Sequence, residues 1–586
     1  MRPHTLRSVL GAVALVAAAS PALRAAEPLK PQGNPPAAAF NRLHPYEEIV
    51  DLLKGYAAAY PKWTRLESIG KSGQGRDLWM IAITNPATGP ELSKPAMYID
   101  GNTHANEVQG AETALYTIDF LLRNYGKLPR VTEMLDRSVF YILPVVNPDG
   151  RTLWFKGPSD ADFPRTVMVP VDDDRDGKAD EDGYDDVDGD GYITTMRKKV
   201  PMGQGTHRLD PKDSRLLVPV EPGQLGDYLE IGKEGYDNDG DGRVNEDTVG
   251  YVDPNRTWGF SWEPAYVQAG AGAYPLSIPE TRSIAMWAME HRNVAAVQSY
   301  HNNGRMILRG PGAKADPIYP PQDLKAYDLI GKEGEKLLPG YRYFISWKDL
   351  YTVHGATTDH FYSLMGALAF TNEMYDTPAD FDKNGEVSDA ELMKFNDELT
   401  FGREFVDWHP YNHPQYGAIE VGGFKRDVGR VPEGWALEDE THRNNSFALL
   451  NAYHLPRLSI GEAMVKKVGD RLWRVEVPVL NDRAIPSMTA TAVQNKLHRQ
   501  DVATVTGGKV ISSGLVNDPY LDKIEVQDHR ADRLMVPGVD GLSTRVLFFL
   551  IQGDGEITVH YDSLKGGQLA KKIALRETGP AMAAAK

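Results

Sequence analysis

The chain has 586 residues, 41% of them apolar and 25% charged, with a formal net charge of −17 and no cysteine. That length exceeds one ordinary domain, and the apolar content is enough for a real core. The missing cysteine excludes disulfides, thiol catalysis and lipid attachment through cysteine. The acidic balance argues against a nucleic-acid partner, which needs a basic face.

In chain order, residues 1–26 carry Arg2 and Arg7 ahead of an apolar run that ends in small residues. This is a secretory signal pattern and predicts a secreted or periplasmic protein. No later segment offers about 18 uninterrupted apolar residues, so no transmembrane anchor is expected in the mature chain. Residues 27–43 are rich in Pro and Ala and read as a linker. From residue 44 the pattern is globular. EEIVDLLKGYAAAY has helical spacing and ends before Pro61. DLWMIAIT and PAMYID read as buried strands, and ETALYTIDFLLRNYG as an amphipathic helix ending at Gly126. SVFYILPVVNPDG reads as a strand running into a turn.

Two acidic, glycine-rich inserts follow, at about 158–195 and 222–250. The alternation then resumes with TRSIAMWAMEHR, VAAVQSYH and ALAFTNEMY, and a third acidic insert lies at about 378–395. Strands alternating with helices over 44–455 predict an α/β domain with helices on both faces of its sheet. After residue 455, RLWRVEVPVL, TRVLFFLIQ and EITVHYDS alternate β-branched and aromatic residues between turns, which predicts a β-sandwich over 456–580. Residues 581–586 are expected to form a disordered tail.

The chemistry starts at YIDGNTHANEVQG. His104 and Glu107 stand three apart where a helix is expected to begin, so both can face one ion. Zinc accepts both ligand types, and a catalytic zinc keeps three protein ligands and one open position. His301 ends the apolar strand VAAVQSYH, at the strand terminus where open α/β sheets build their sites.

The order H-x-x-E, NPDG (147–150), DPNRTW (Asn255–Arg256), SYH (299–301) and FTNE (370–373) resembles the zinc metallocarboxypeptidases of the carboxypeptidase A/B type, over about 44–455. The resemblance implies a central mixed sheet with helices on both faces, in an exported bacterial type of enzyme. It implies His104, Glu107 and His301 as ligands of one catalytic zinc, and Glu373 as general base. Asn255 and Arg256 match the pair that grips the C-terminal carboxylate of a peptide or protein substrate. Tyr351 matches the mobile tyrosine, and Arg197, in TTMRKK, the arginine that steadies the oxyanion. By register from Tyr351, Thr358 falls deep in the side-chain pocket. Its neutrality predicts an apolar or mixed preference, with Asp359 adjacent. One departure is Asn106, where many members have Arg before the zinc-ligand Glu; it bears on a subsite, not on the zinc.

The acidic inserts carry calcium-loop spacing. Asp186, Asp188 and Asp190 precede Gly191, and Asp237, Asp239 and Asp241 precede Gly242. The fullest match is Asp380, Asp382, Asn384, Gly385, Ser388 and Glu391; Asp172, Asp174 and Asp176 begin a partial repeat. Structural calcium is expected here, as a clamp on the loops that present Arg197. Two alternatives to a peptide carboxypeptidase stay open at this point. One is a zinc amidase or peptidase acting on cell-wall peptides; the other is a non-catalytic, calcium-stabilised binding module on a peptidase scaffold.

Overall fold

A computed structural model describes residues 26–157, 164–172, 175–425, 429–518 and 520–578. Residues 1–25 of the expected signal, the expected tail and Asp174 lie outside the described residues. No helix among the described residues is long and apolar enough to cross a membrane.

The strands Ala96–Gly101, Val139–Leu143, Val294–Asn302 and Leu368–Met374 are apolar and almost entirely buried. Such runs suit a sheet covered on both faces. They pair in parallel at the centre of an eight-stranded mixed sheet. Antiparallel pairing adds Asp77–Ile83 on one side and Met306–Arg309 on the other. Side chains alternate between faces. Met97, Ile99, Phe140 and Ile142 join the core beneath the helices Tyr46–Ala59, Gln109–Asn124, Pro321–Leu337 and Gly434–Tyr453. Tyr98, Val139, Tyr141 and Leu143 join the opposite core, under Pro279–Glu290 and Thr357–Met365. The α/β expectation is met.

The expected linker is not a free tether. Leu29 and Phe40 pack against the first core, and Gln32 N donates to Ala59 O at 2.7 Å. The NPDG turn opens a helix, Pro148–Lys156. Asn147 caps it by accepting from Gly150 N, with Pro at the first helical position, where its missing N–H costs nothing.

The inserts are more than acidic loops. With the segment between them, they contribute Thr195–Lys199, His207–Leu209, Leu217–Pro219 and Tyr228–Lys233 to a second, six-stranded sheet completed by the hairpin Phe405–His413 and Gly417–Phe424. From Leu458 onward a six-stranded and a four-stranded sheet enclose a separate core that includes Val475, Val477, Leu547, Phe549, Val559 and Tyr561. This is the expected sandwich. Lys565 Nζ joins it to the α/β layer, donating to Met365 O at 2.6 Å and Gly366 O at 2.9 Å.

One buried network fixes the loop after Gly101. Arg151, Glu112 and His44 are fully buried. Arg151 donates to Glu112 Oε1 at 2.7 Å, and to Asn102 Oδ1 and Val108 O, each at 2.9 Å. His44 Nδ1 meets Glu112 Oε2 at 2.6 Å. Residues 102–108 are therefore bracketed at both ends by one guanidinium. Breaking a buried pair leaves an uncompensated charge. Arg151→Met is expected to cost about 3–5 kcal/mol, read as a lower denaturant midpoint; an unchanged midpoint would show the network to be dispensable.

Candidate functional site

The site lies at the C-terminal ends of the parallel strands, where an open α/β sheet leaves a crevice. Gly101 and Gly110 let the first turn of helix Gln109–Asn124 sit directly on the sheet. A Cβ on Gly110 would lie 2.9 Å from both Asn102 N and Tyr300 O. Asn102 takes a left-handed φ of 53°, and its Nδ2 donates to His104 O at 2.8 Å and Ala105 O at 3.1 Å. His104 and Glu107 occupy the resulting tight turn, with Glu107 N donating to His104 O at 3.1 Å. They precede the helix rather than starting it.

His301 reaches the same point from its strand. Side-chain exposures of His104, Glu107 and His301 are only 3%, 2% and 1%. His104 Nδ1 lies 2.8 Å from Glu107 Oε1, His301 Nδ1 lies 2.9 Å from Glu107 Oε2, and the two Nδ1 atoms are 3.2 Å apart. Ligands about 2.05 Å from a tetrahedral ion stand roughly 3.3 Å from one another. The three donors thus already sit near the edge lengths of a zinc tetrahedron. The donor chemistry, two imidazoles and a carboxylate, is that of a catalytic zinc site. His104 Nε2 points the other way, to Asp253 Oδ1 at 2.9 Å. An Nε2–H donating to that carboxylate would leave Nδ1 free for a metal.

Glu373 pairs with His301 across neighbouring parallel strands. Burial first, and the Glu107 charge second, push its carboxyl up to about 7. Asp253 goes the other way. Burial opposes its charge, but His104, Arg256 and Arg165 outweigh burial and hold it well below the usual carboxylate range.

The residues expected to bind substrate gather beside this group. Asn255 Oδ1 accepts from Thr357 N at 2.9 Å and Thr357 Oγ1 at 3.0 Å, which leaves its amide NH2 as the group on offer. Arg256 Nη1 is anchored on Asn255 O at 2.8 Å, and its Nη2 lies 3.4 Å from the Tyr351 hydroxyl. Tyr351 is 51% exposed. Thr358 is buried in the first turn of Thr357–Met365. Asp359 faces elsewhere, accepting from Gly312 N at 2.9 Å and Tyr319 Oη at 3.1 Å.

Arg197 is not among these residues. It lies in the second sheet, its Nε donating to Glu420 Oε2 at 2.8 Å and its guanidinium 3.9 Å from the Trp408 ring centroid. Arg165 stands at the His104–Glu107–His301 group instead. Its guanidinium is 3.0 Å from His104 Nε2 and 3.3 Å from both Glu107 Oε1 and Asp253 Oδ2. Burial works against its charge, but Asp253 and Glu107, with Tyr351 and Glu373 adding, hold it protonated. Arg430 adds a more distant cation, 3.9 Å from Glu107 Oε1. Sequence reasoning missed Arg165, Asp253 and Arg430. Asp253 had a signal, two residues before Asn255 in DPNR. Arg165 and Arg197 both lie between NPDG and DPNR, and nothing local separates them.

The calcium-type loops share one geometry. The first carboxylate accepts from the sixth amide in each: Gly177 N to Asp172, Gly191 N to Asp186, Gly242 N to Asp237 and Gly385 N to Asp380, at 2.8–3.1 Å. Asp188 and Asp190 close on Asp186, and Asp239 and Asp241 on Asp237, as groups able to hold an ion. In the third loop, Asn384 N donates to Asp380 and Asp382, while Ser388 and Glu391 form a capping box on the helix Asp389–Phe395.

A zinc carboxypeptidase family model matches residues 49–178 and 229–386. The chain belongs to the zinc carboxypeptidase family. The matched blocks contain His104, Glu107, Arg165, Asp253, Asn255, Arg256, His301, Tyr351 and Glu373; Arg197 falls in the gap between them. Residues 457–574 match a domain of unknown function. Human carboxypeptidase D is 36% identical over 115 residues, 20% of this chain and 8% of that protein. Mouse carboxypeptidase M is 36% identical over 109 residues, 19% of this chain and 25% of that protein. The chain thus spans a quarter or less of these two relatives. Among solved structures, thrombin-activatable fibrinolysis inhibitor is similar at 17% identity and a TM-score of 0.43, covering 72% of this chain and 76% of that one. Carboxypeptidase A from Helicoverpa armigera is similar at 18% identity and a TM-score of 0.42, covering 71% and 74%.

Proposed function

We propose that the protein is a zinc-dependent carboxypeptidase that removes C-terminal residues from peptides. The observation that carries this reading is one crevice holding the His104–Glu107–His301 donor set, Glu373 beside it, and Asn255, Arg256 and Tyr351 at its wall. Zinc, when bound by the three donors, supplies carbonyl polarisation and a bound water with a pKa near roughly 7. Arg256 offers a planar fork to a terminal carboxylate, and Asn255 adds its amide NH2. Glu373 takes a proton from the attacking water and delivers it to the leaving amine. Arg165, held charged by Asp253 and Glu107, faces the position where negative charge develops on the carbonyl oxygen.

This reading gives Arg165 the task first expected of Arg197. Thr358 at the pocket and Asp359 turned into the Gly312 loop support an apolar or mixed side-chain preference. Calcium in the three insert loops acts structurally, supported by their shared first-to-sixth geometry. Export rests on the sequence of residues 1–26 alone. A non-catalytic module would have no physical need for Glu373 beside the donor set.

The test compares one peptide as free acid and as C-terminal amide, on wild type and Arg256→Ala. Wild type should prefer the acid in kcat/KM by roughly 10–100-fold, the weight of charge-assisted hydrogen bonds. Arg256→Ala should shrink that ratio toward unity. A ratio untouched by the substitution would reassign Arg256 and the exopeptidase reading with it.

A further inference from the structure

Asp182 is a carboxylate with nowhere to go. It is 1% exposed, on the first insert, in an isolated bridge to Asp247 of the second. Its Oδ1 accepts from Asn245 N at 3.2 Å and Asn238 Nδ2 at 3.4 Å, but its Oδ2 is buried without a donor. Glu246 has both carboxylate oxygens buried without a donor. Asp182, Asp239 and Glu246 each place one ligand atom within 4.8 Å of the others. No lysine or arginine forms an ion pair with any of the three among the described residues. Burial and like-charged neighbours push the Glu246 carboxyl up to about 7. Asp182 and Glu246 turn carboxylate oxygens inward with no donor and no ion-pair partner, which is costly unless a cation joins them, and Asp239, on which Lys178 also acts, completes the group.

We infer that Asp182, Asp239 and Glu246 form a divalent-cation site between the two inserts, separate from the loop sites that spacing alone defines. The ligand class is a hard dication, with calcium the natural occupant. The donors are all oxygen, without the imidazole that zinc or copper would recruit. Loop spacing assigns Asp237, Asp239 and Asp241 to one ion; it does not include Asp182, from the other insert, or Glu246, beyond the glycine turn. Asp239 belongs to both groups and also to Asp176–Glu181–Asp239, so it stands where the inserts meet.

The site has a consequence for the crevice. The first insert leaves the metal centre at Arg165, and the second returns to it at Asp253. Val167 N donates to Val252 O at 3.0 Å, and Thr166 Oγ1 to Gly250 O. Asp180 Oδ1 accepts from Val171 N at 3.3 Å and Gly250 N at 3.4 Å. A cation on Asp182, Asp239 and Glu246 would staple the next step outward along the same pair of segments. It would thereby fix the spacing of Arg165 and Asp253.

The experiment counts calcium on the full-length, zinc-loaded chain by native mass spectrometry, with calcium titrated from zero. Asp182→Asn and Glu246→Gln, both nearly isosteric, should each bind one calcium fewer than wild type or bind it at least on the order of tenfold more weakly. The double variant should lose no second ion. Asp186→Asn should lose a different ion, additively with Asp182→Asn. In the wild type, calcium should slow hydrogen exchange of the Asp247 amide, which is bonded to Asp182 O. Wild-type stoichiometry and affinity in both single variants, or two ions lost in the double variant, would overturn the site. So would calcium-insensitive exchange at Asp247 in the wild type. None of these readouts depends on peptidase activity.

Discussion

Glu373→Gln should lower kcat by about 10²–10⁴-fold, the range that a positioned proton carrier contributes. Zinc content should stay at the wild-type level, because the three donors are untouched. The amide keeps the size of the carboxylate but cannot accept the proton of the attacking water. The same chemistry fixes a pH dependence. The Glu373 carboxyl is pushed up to about 7 by burial and by Glu107. The base must be deprotonated to work, so kcat/KM should fall as pH drops through the carboxyl's value. A bound dication stabilises the anion, so the acid limb should lie at or below about pH 7. Steady-state rates of both proteins across pH, with zinc measured on each, check this. Full activity in Glu373→Gln would remove the residue from the reaction.

Arg165→Ala should lose about 10²–10³-fold in kcat, as removal of a group that stabilises an oxyanion does, with a smaller change in KM. Arg197→Ala should behave differently. Its guanidinium stacks 3.9 Å from the Trp408 centroid and pairs with Glu420 inside the second sheet. A desolvated cation–π contact of this kind is worth about 2 kcal/mol or more, so the loss should appear in unfolding midpoint and not in kcat per folded molecule. Kinetics and chemical denaturation of the two variants side by side separate the roles. A large kcat loss in Arg197→Ala with wild-type stability would return the oxyanion task to Arg197.

The fold was legible where burial dictates residue type. Val294–Asn302 and Leu368–Met374 are buried on both faces, so they read as apolar runs, and their C-terminal residues announced His301 and Glu373. The sandwich was legible for a related reason, since Val475, Val477 and Val479 alternate toward one core. The second sheet was not. One of its small cores is built on Val187, Met196, Ile419 and Val421, and Met196 pairs with Val421 from more than two hundred residues away. Strands as short as His207–Leu209 carry no period of their own. The candidate zinc donors could be read because each stands in a short local motif. Arg165 could not, because its place beside Asp253 and Glu107 exists only in the folded chain. The contacts of the two arginines differ, with Arg165 3.0 Å from His104 Nε2 and Arg197 paired with Glu420, and the paired variants above test which one serves the reaction.

The measurement that bears most directly on the central claim is mass spectrometry of a mixed peptide pool, half free acids and half C-terminal amides, incubated with protein of known zinc content. The account predicts ladders of C-terminal truncation from the free acids alone, lost when zinc is removed and regained when it is restored. Internal cleavage, equal trimming of the amides, or no cleavage by zinc-loaded protein would contradict it.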